Sequence, residues 1–179
     1  EPVFEASRYF NTVNGHIAEN PLVRMVHDDI YAWLQYYEGR YDAIVSDGKL
    51  GSLNNANTVL LSKDYYDLCR RRLRPEGVFV QWVPIITPEA ELRAILHTAA
   101  SSFEHFGLFY FYSSDILLVG SPTPIELRQE TMAKVFANEA VAAELGALDL
   151  GSPAAVMSCY LGGYALGEAG MRPNTFDRP

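Results

Sequence analysis

The polar side chains best placed to do chemistry fall where apolar runs end. Ala43, Ile44 and Val45 lead through Ser46 to Asp47, and Gly48 marks the exit. Leu22–His27 ends on Asp28-Asp29, and Val78-Phe79-Val80 leads into Gln81-Trp82-Val83-Pro84. In open α/β sheets, ligands sit beyond the carboxyl ends of the strands. Asp47 is therefore placed where a ligand would meet a carboxylate able to accept a hydrogen bond or a proton. The same residue would equally serve as a turn cap, because Asp bonds nearby backbone N–H groups. His16, His27, His97 and His105 show no ligand spacing, so no metal site is expected.

The elements that must carry these residues alternate. Pro2–Phe10 reads as a short amphipathic helix and Asn11–Asn20, with Asn14-Gly15, as a loop. Leu22–His27 is strand-like, and Ile30–Tyr37 follows as a helix capped by Asp28 or Asp29. The run ending at Asp47 has the composition of a parallel strand buried on both faces. Residues 48–58 form a long polar loop, and Leu60–Leu73 a helix whose Arg70-Arg71-Arg72 reads as a solvated end suited to the helix dipole. Arg74–Gly77 is a turn before the strand Val78–Val83, and Thr87-Pro88-Glu89 opens a helix with Thr87 as cap. Leu108–Tyr112 and Ile116–Gly120 lie close enough to pair antiparallel, and Pro122–Gly146 and Pro153–Gly170 read as helical tails. The expectation is an α/β fold whose mostly parallel sheet ends in an antiparallel pair. The catalytic part spans 1–121, with a helical extension of the same domain over 122–179.

Composition narrows the function. Apolar residues make up 49% and charged residues 20% of the 179, as in a folded domain. The net charge of -8 argues against nucleic acid as partner, which would want a basic face. No apolar run approaches the roughly 20 residues needed to span a bilayer. Cys69 and Cys159 have no metal-ligand spacing, so a reducing, cytoplasmic setting is the default.

Several stretches together resemble one family. Tyr41-Asp42-Ala43-Ile44-Val45-Ser46-Asp47, Leu61-Ser62-Lys63-Asp64-Tyr65-Tyr66 and Leu73–Trp82 are similar, in order and spacing, to the spermidine synthase family of aminopropyltransferases. These enzymes have the Rossmann-like, class I S-adenosylmethionine-dependent methyltransferase fold. The tail Pro173–Pro179 is similar to a variant branch often fused to membrane helices. The resemblance implies transfer of an aminopropyl group from decarboxylated S-adenosylmethionine to a small-molecule amine, without metal. It implies Asp47 as the catalytic carboxylate. Asp29, with Asp28 beside it, would hold the adenine amino group, and Glu1 the ribose hydroxyls, with Gly48 lining the same cofactor site. Gln81 and Tyr66 would face the amine. Relatives of this fold often form homodimers through a front segment.

Two departures qualify the resemblance. The family's first strand and Gly-rich turn are not found, so the chain is expected to be an N-terminally truncated fragment. Leu50 stands where spermidine synthases carry a second Asp for the polyamine's ammonium group. Two alternatives therefore stay open. One is a methyltransferase of the same fold using S-adenosylmethionine. The other is a non-catalytic nucleoside-binding domain, the cytoplasmic part of a larger membrane protein.

Overall fold

The computed structural model describes residues 2–47, 59–111, 115–163 and 172–177. It divides into two compact units, Glu1–Tyr37 and Glu38–Pro179.

The first unit is built of short helical pieces: α1 (Pro2–Ser7), a 3-10 turn (Arg8–Phe10), α2 (Asn11–Asn14), a second 3-10 turn (Ile17–Glu19) and α3 (Ile30–Tyr36). The region expected as a loop thus contains helical turns. Gly15 ends α2 with φ +63° and returns its N–H to the Asn11 carbonyl, a left-handed cap that favours glycine. Asn14 donates to the Ser7 carbonyl at 2.7 Å. Phe4 meets His27 edge-on at 5.9 Å, and Arg24 lies 5.5 Å from the Trp33 ring centre. Leu22–His27 is not a strand: its backbone joins no ladder among the described residues, and Leu22 is 93% exposed. A strand exists only through a hydrogen-bonded neighbour, which apolar composition cannot supply.

The second unit holds the sheet. Its elements are β1 (Tyr41–Ser46), α4 (Lys63–Arg72), β2 (Leu73–Pro84), α5 (Glu89–Ala100), β3 (His105–Phe111), β4 (Asp115–Ser121), α6 (Gln129–Ala137), α7 (Glu139–Ala147), α8 (Pro153–Ser158) and β5 (Tyr160–Gly162). The sheet order is β1-β2-β4-β3-β5. β1 and β2 run parallel; the β2–β4, β3–β4 and β3–β5 pairs are antiparallel. The parallel part of the sheet is thus represented by one pairing among the described residues. β5 corrects the expectation of an all-helical tail, since Tyr160 and Gly162 pair with Phe109 and Leu108.

The expected turn at 74–77 is absorbed into β2 as a bulge. Tyr41 pairs with Leu73 but Ala43 pairs with Val78, so 74–77 loops out between them. The loop is tight: a Cβ on Gly77 would stand 2.9 Å from the Tyr41 carbonyl oxygen. Thr87 also differs from expectation. Its hydroxyl donates to the Pro84 carbonyl at 2.6 Å, and α5 starts after Pro88 without a side-chain cap.

One face of the sheet carries the core. Ile44 and Ser46 of β1, Phe79, Gln81 and Val83 of β2, and Ile116 and Leu118 of β4 are buried on it, following the two-residue period. Tyr65 and Tyr66 of α4 and Phe103, after α5, meet Phe79 there. Phe79 and Phe103 stack at 5.2 Å, while Tyr66 crosses Phe79 edge-on at 5.5 Å. Rings this large dominate core energetics, each contributing roughly 1.5–3 kcal/mol on burial. The opposite face is not buried to match. Ala43 and Val45 are exposed, Val45 by 73%, so β1 is covered on one face rather than two.

The described tail is stitched to α4 and α5. The Lys63 N–H donates to the Asn174 carbonyl at 2.8 Å, the Phe176 N–H to an Asp64 carboxylate oxygen at 3.0 Å, and the Asn174 N–H to the Thr98 hydroxyl at 3.0 Å. No helix among the described residues is long and apolar enough to cross a membrane.

Candidate functional site

Asp47 directly follows the last residue of β1, exposed at the carboxyl end of a strand that is parallel to its neighbour. The residue before it is fixed from two sides. Ser46 is buried, and its carbonyl accepts a hydrogen bond at 3.1 Å from Gln81 Nε2, its register partner on β2. The Ser46 hydroxyl accepts one at 3.3 Å from the Tyr65 phenol of α4. Burial raises the Tyr65 pKa well above the usual tyrosine range, with the neighbouring Cys69 adding to the rise. The phenol therefore stays protonated and able to donate. Gln81, with no exposed surface, also donates to the Trp82 carbonyl at 3.3 Å. Amides are seldom buried unless they bond, and this one ties the end of β1 to β2. The Asp47 carboxylate is thus open to solvent while its backbone hangs from a rigid, buried knot, the arrangement a reacting group needs.

The other expected residues fall differently. Asp28 and Asp29 belong to the first unit and are exposed. Asp29 Oδ1 accepts from the Ala32 N–H at 2.9 Å, capping α3, and Asp28 Oδ1 accepts from the Asp29 N–H at 2.8 Å. Each keeps a second carboxylate oxygen not used in these bonds, so the cap leaves an acceptor on each. Gln81 lies on β2 beside the end of β1, and its amide donates to the Ser46 and Trp82 carbonyls rather than pointing outwards. Tyr66, expected to face the amine, is sealed in the aromatic core with 0% exposure, and its hydroxyl finds no described partner. Glu1, Gly48 and Leu50 lie outside the described residues. No cluster of metal-ligating side chains forms among the described residues.

Ser46 is not among the site residues expected from sequence, although a polar residue between a buried strand and an aspartate is a signal. Tyr65 enters only within the resembling Leu61–Tyr66 stretch and as an aromatic that could suit a less cationic acceptor, because the aromatic stripe of a helix reads first as core. Cys69, beneath Tyr65, is wholly buried, and its thiol is pushed up to about 12, chiefly by that burial. It is an inert core side chain rather than a nucleophile.

The spermine/spermidine synthase domain matches residues 2–113. A probable spermidine synthase from Corynebacterium glutamicum superposes with a TM-score of 0.60 at 18% identity, covering 96% of this chain and 60% of its own. The spermidine synthase from Thermotoga maritima gives 0.56 at 15% identity, covering 73% of this chain and 46% of its own. A spermidine synthase in complex with the transition state analogue AdoDATO gives 0.54, with the same identity and coverage. These likenesses establish the fold, α/β of the class I methyltransferase type. The chain spans about 60% of the length of the first of these relatives and 46% of the other two. No curated protein matches.

Proposed function

The chain belongs to the spermine/spermidine synthase domain family, and from that membership we propose that it transfers an aminopropyl group from decarboxylated S-adenosylmethionine to an amine, with Asp47 as the base. The observation that carries this reading is Asp47 itself, a solvent-open carboxylate hung from the buried Gln81–Ser46–Tyr65 knot at the end of β1.

The reaction is a displacement. The lone pair of the acceptor nitrogen attacks the carbon next to the sulfonium. A carbon–nitrogen bond forms, the carbon–sulfur bond breaks, and its electron pair returns to sulfur as a neutral thioether. As the nitrogen attacks, it gives up a proton to the Asp47 carboxylate, so the product leaves as a neutral amine. Positioned general bases of this kind contribute roughly 10²–10⁴-fold. Before the transfer, the same carboxylate would face the sulfonium's positive charge. The free oxygens of Asp29 and Asp28 suit the exocyclic amine of adenine, with Glu1 and Gly48 assigned to the nucleoside on resemblance. Gln81 acts through the backbone of Ser46, and Tyr66 through the core, rather than by touching the amine.

The test is release of the thioether nucleoside from decarboxylated S-adenosylmethionine by the full chain, against a panel of diamines. Asp47→Asn should lower kcat at least about 100-fold while leaving nucleoside binding in place. Wild-type protein that binds the co-substrate but turns over no amine would overturn the reading. Tighter binding of S-adenosylmethionine than of its decarboxylated form would move it to methyl transfer.

A further inference from the structure

The outer face of α4 holds a feature that the transfer reaction does not use. Lys63, Asp67, Arg70 and Arg71 follow the spacing i, i+4, i+7, i+8, which places them on one stripe of the helix. This stripe faces the turn that joins α5 to β3, and together they line a groove of about 760 Å³. That size falls within the roughly 300–1,000 Å³ typical of small-molecule sites. Lys63 is held by Asp67 at 2.8 Å, so its charge is locally answered. Neither the Arg70 nor the Arg71 guanidinium has a partner among the described residues, and Glu104 is the remaining carboxylate of the lining. Cations thus outnumber carboxylates in the groove, on a chain of net charge -8.

A second observation comes from the opposite wall. Ser102 lines the same groove and is only 5% exposed, and its hydroxyl, sealed from solvent, has no hydrogen-bond partner among the described residues. The neighbouring Ser101 shows the ordinary alternative, its hydroxyl donating to the Thr98 carbonyl at 2.6 Å. A buried hydroxyl left unpaired is costly and calls for an explanation. A solvated helix end would explain exposed arginines; it would not explain this hydroxyl.

We propose that the groove between α4 and the α5–β3 turn binds a phosphate-bearing small molecule, with Arg70 and Arg71 supplying charge-assisted hydrogen bonds to the phosphate and the Ser102 hydroxyl, sealed from solvent without ligand, turning towards the groove to donate a third. Guanidinium forks match phosphate oxygens in a way that ammonium groups do not. The groove is formed by helix faces and a turn, not by the end of β1, so it is a site separate from Asp47.

Inorganic pyrophosphate is the probe, because it lacks the nucleoside that the proposed transfer site takes. Calorimetric titration of the full chain should show saturable binding that weakens as salt is raised. Arg70→Gln with Arg71→Gln should weaken it by roughly tenfold or more per guanidinium. Both residues are exposed, so folding should be unaffected. Ser102→Ala should weaken binding several-fold while leaving the unliganded protein as stable as before, since that hydroxyl bonds nothing in its absence. Asp47→Asn should bind pyrophosphate as the wild type does. Absence of saturable binding, or binding unchanged in the double arginine variant, would overturn the proposal.

Discussion

Gly120 of β4 faces Phe103 so closely that a single methyl group should report on the packing of the whole core. A Cβ built on Gly120 would stand 2.5 Å from Cγ, 2.7 Å from Cδ2 and 3.0 Å from Cβ of Phe103, where ordinary contact begins near 3.4 Å. The shortfall cannot be absorbed by swinging the ring. Phe103 is 1% exposed and stacked 5.2 Å from Phe79, its plane within 11° of parallel, and Phe79 is itself crossed by Tyr66. Overpacking of a tight core typically costs 1–3 kcal/mol. With three close atoms and no exit, Gly120→Ala should sit at or above the upper end, about 3 kcal/mol. For a chain of this size that corresponds to a fall in Tm of roughly 6–12 °C. Urea denaturation with Phe103→Leu and the double variant closes the cycle. Phe103→Leu alone should cost about 1–2 kcal/mol. The double variant should be more stable than the sum of the singles by at least about 1 kcal/mol, because the smaller side chain gives the methyl room. A Gly120→Ala protein within about 0.5 kcal/mol of wild type, or strictly additive costs, would refute the packing described for this face.

Gln81→Leu removes the donor that holds the Ser46 carbonyl but also removes a buried Oε1 that has no partner among the described residues, so its net effect on stability should stay within about 1 kcal/mol. Turnover should nonetheless fall at least about tenfold, through misplacement of Asp47; unchanged kcat would deny the knot a positioning role. Asp29→Ala should cost about 1 kcal/mol of α3 stability through loss of the cap, visible as faster amide exchange at Ala32. In the folded protein the Cys69 thiol keeps its proton up to about 12, against 9.0 for an ordinary thiol. Between these values the folded state holds a proton that the unfolded state releases. The stability is therefore complete below about pH 9 and lost as pH rises towards 12. Denaturation midpoints should fall with pH in that window, less steeply in Cys69→Ala; equal slopes would contradict it. A thiol reagent at neutral pH should label Cys159 and leave Cys69 untouched until the chain unfolds.

What could be read from the sequence was whatever local chemistry determines. The run ending at Asp47 announced β1, and Asp28-Asp29 before an apolar helical pattern announced a cap for α3, which the structure assigns to Asp29. The short gap between the expected strands Leu108–Tyr112 and Ile116–Gly120 announced an antiparallel pair, found as β3–β4. What could not be read depended on partners distant in the chain. Leu22–His27 has the composition of a strand without a ladder to join. Tyr160–Gly162 has little strand signal of its own and becomes β5 because the edge of β3 is there to receive it. Ala43 and Val45 look like core residues, yet they face outwards because burial on the second face requires something to cover it. For the candidate site, Asp47 was visible from its position alone, whereas the Gln81–Ser46–Tyr65 knot depends on register and on how α4 lies across the sheet. Tyr66 illustrates the same limit: adjacent to Tyr65 in sequence, it turns into the aromatic cluster instead of towards the strand end.

The stitching of residues 174–176 to α4 and α5 also sets an order of events during synthesis. Asp64 and Phe176 are 112 residues apart in the chain. At about 5–20 residues per second, the tail emerges roughly 6–22 s after the start of α4 has been made. Through that interval the Lys63 N–H and the Asp64 carboxylate must be served by water, and Thr98 waits for its acceptor role. A nascent chain can assemble β1, β2 and the β3–β4 pair early and lay α4 on them through Tyr65 and Tyr66, yet the bonds from residues 174–176 to α4 and α5 form only later. For those seconds α4 and α5 lie on the sheet with this clasp undone, and their outer surface is one that a chaperone could cover.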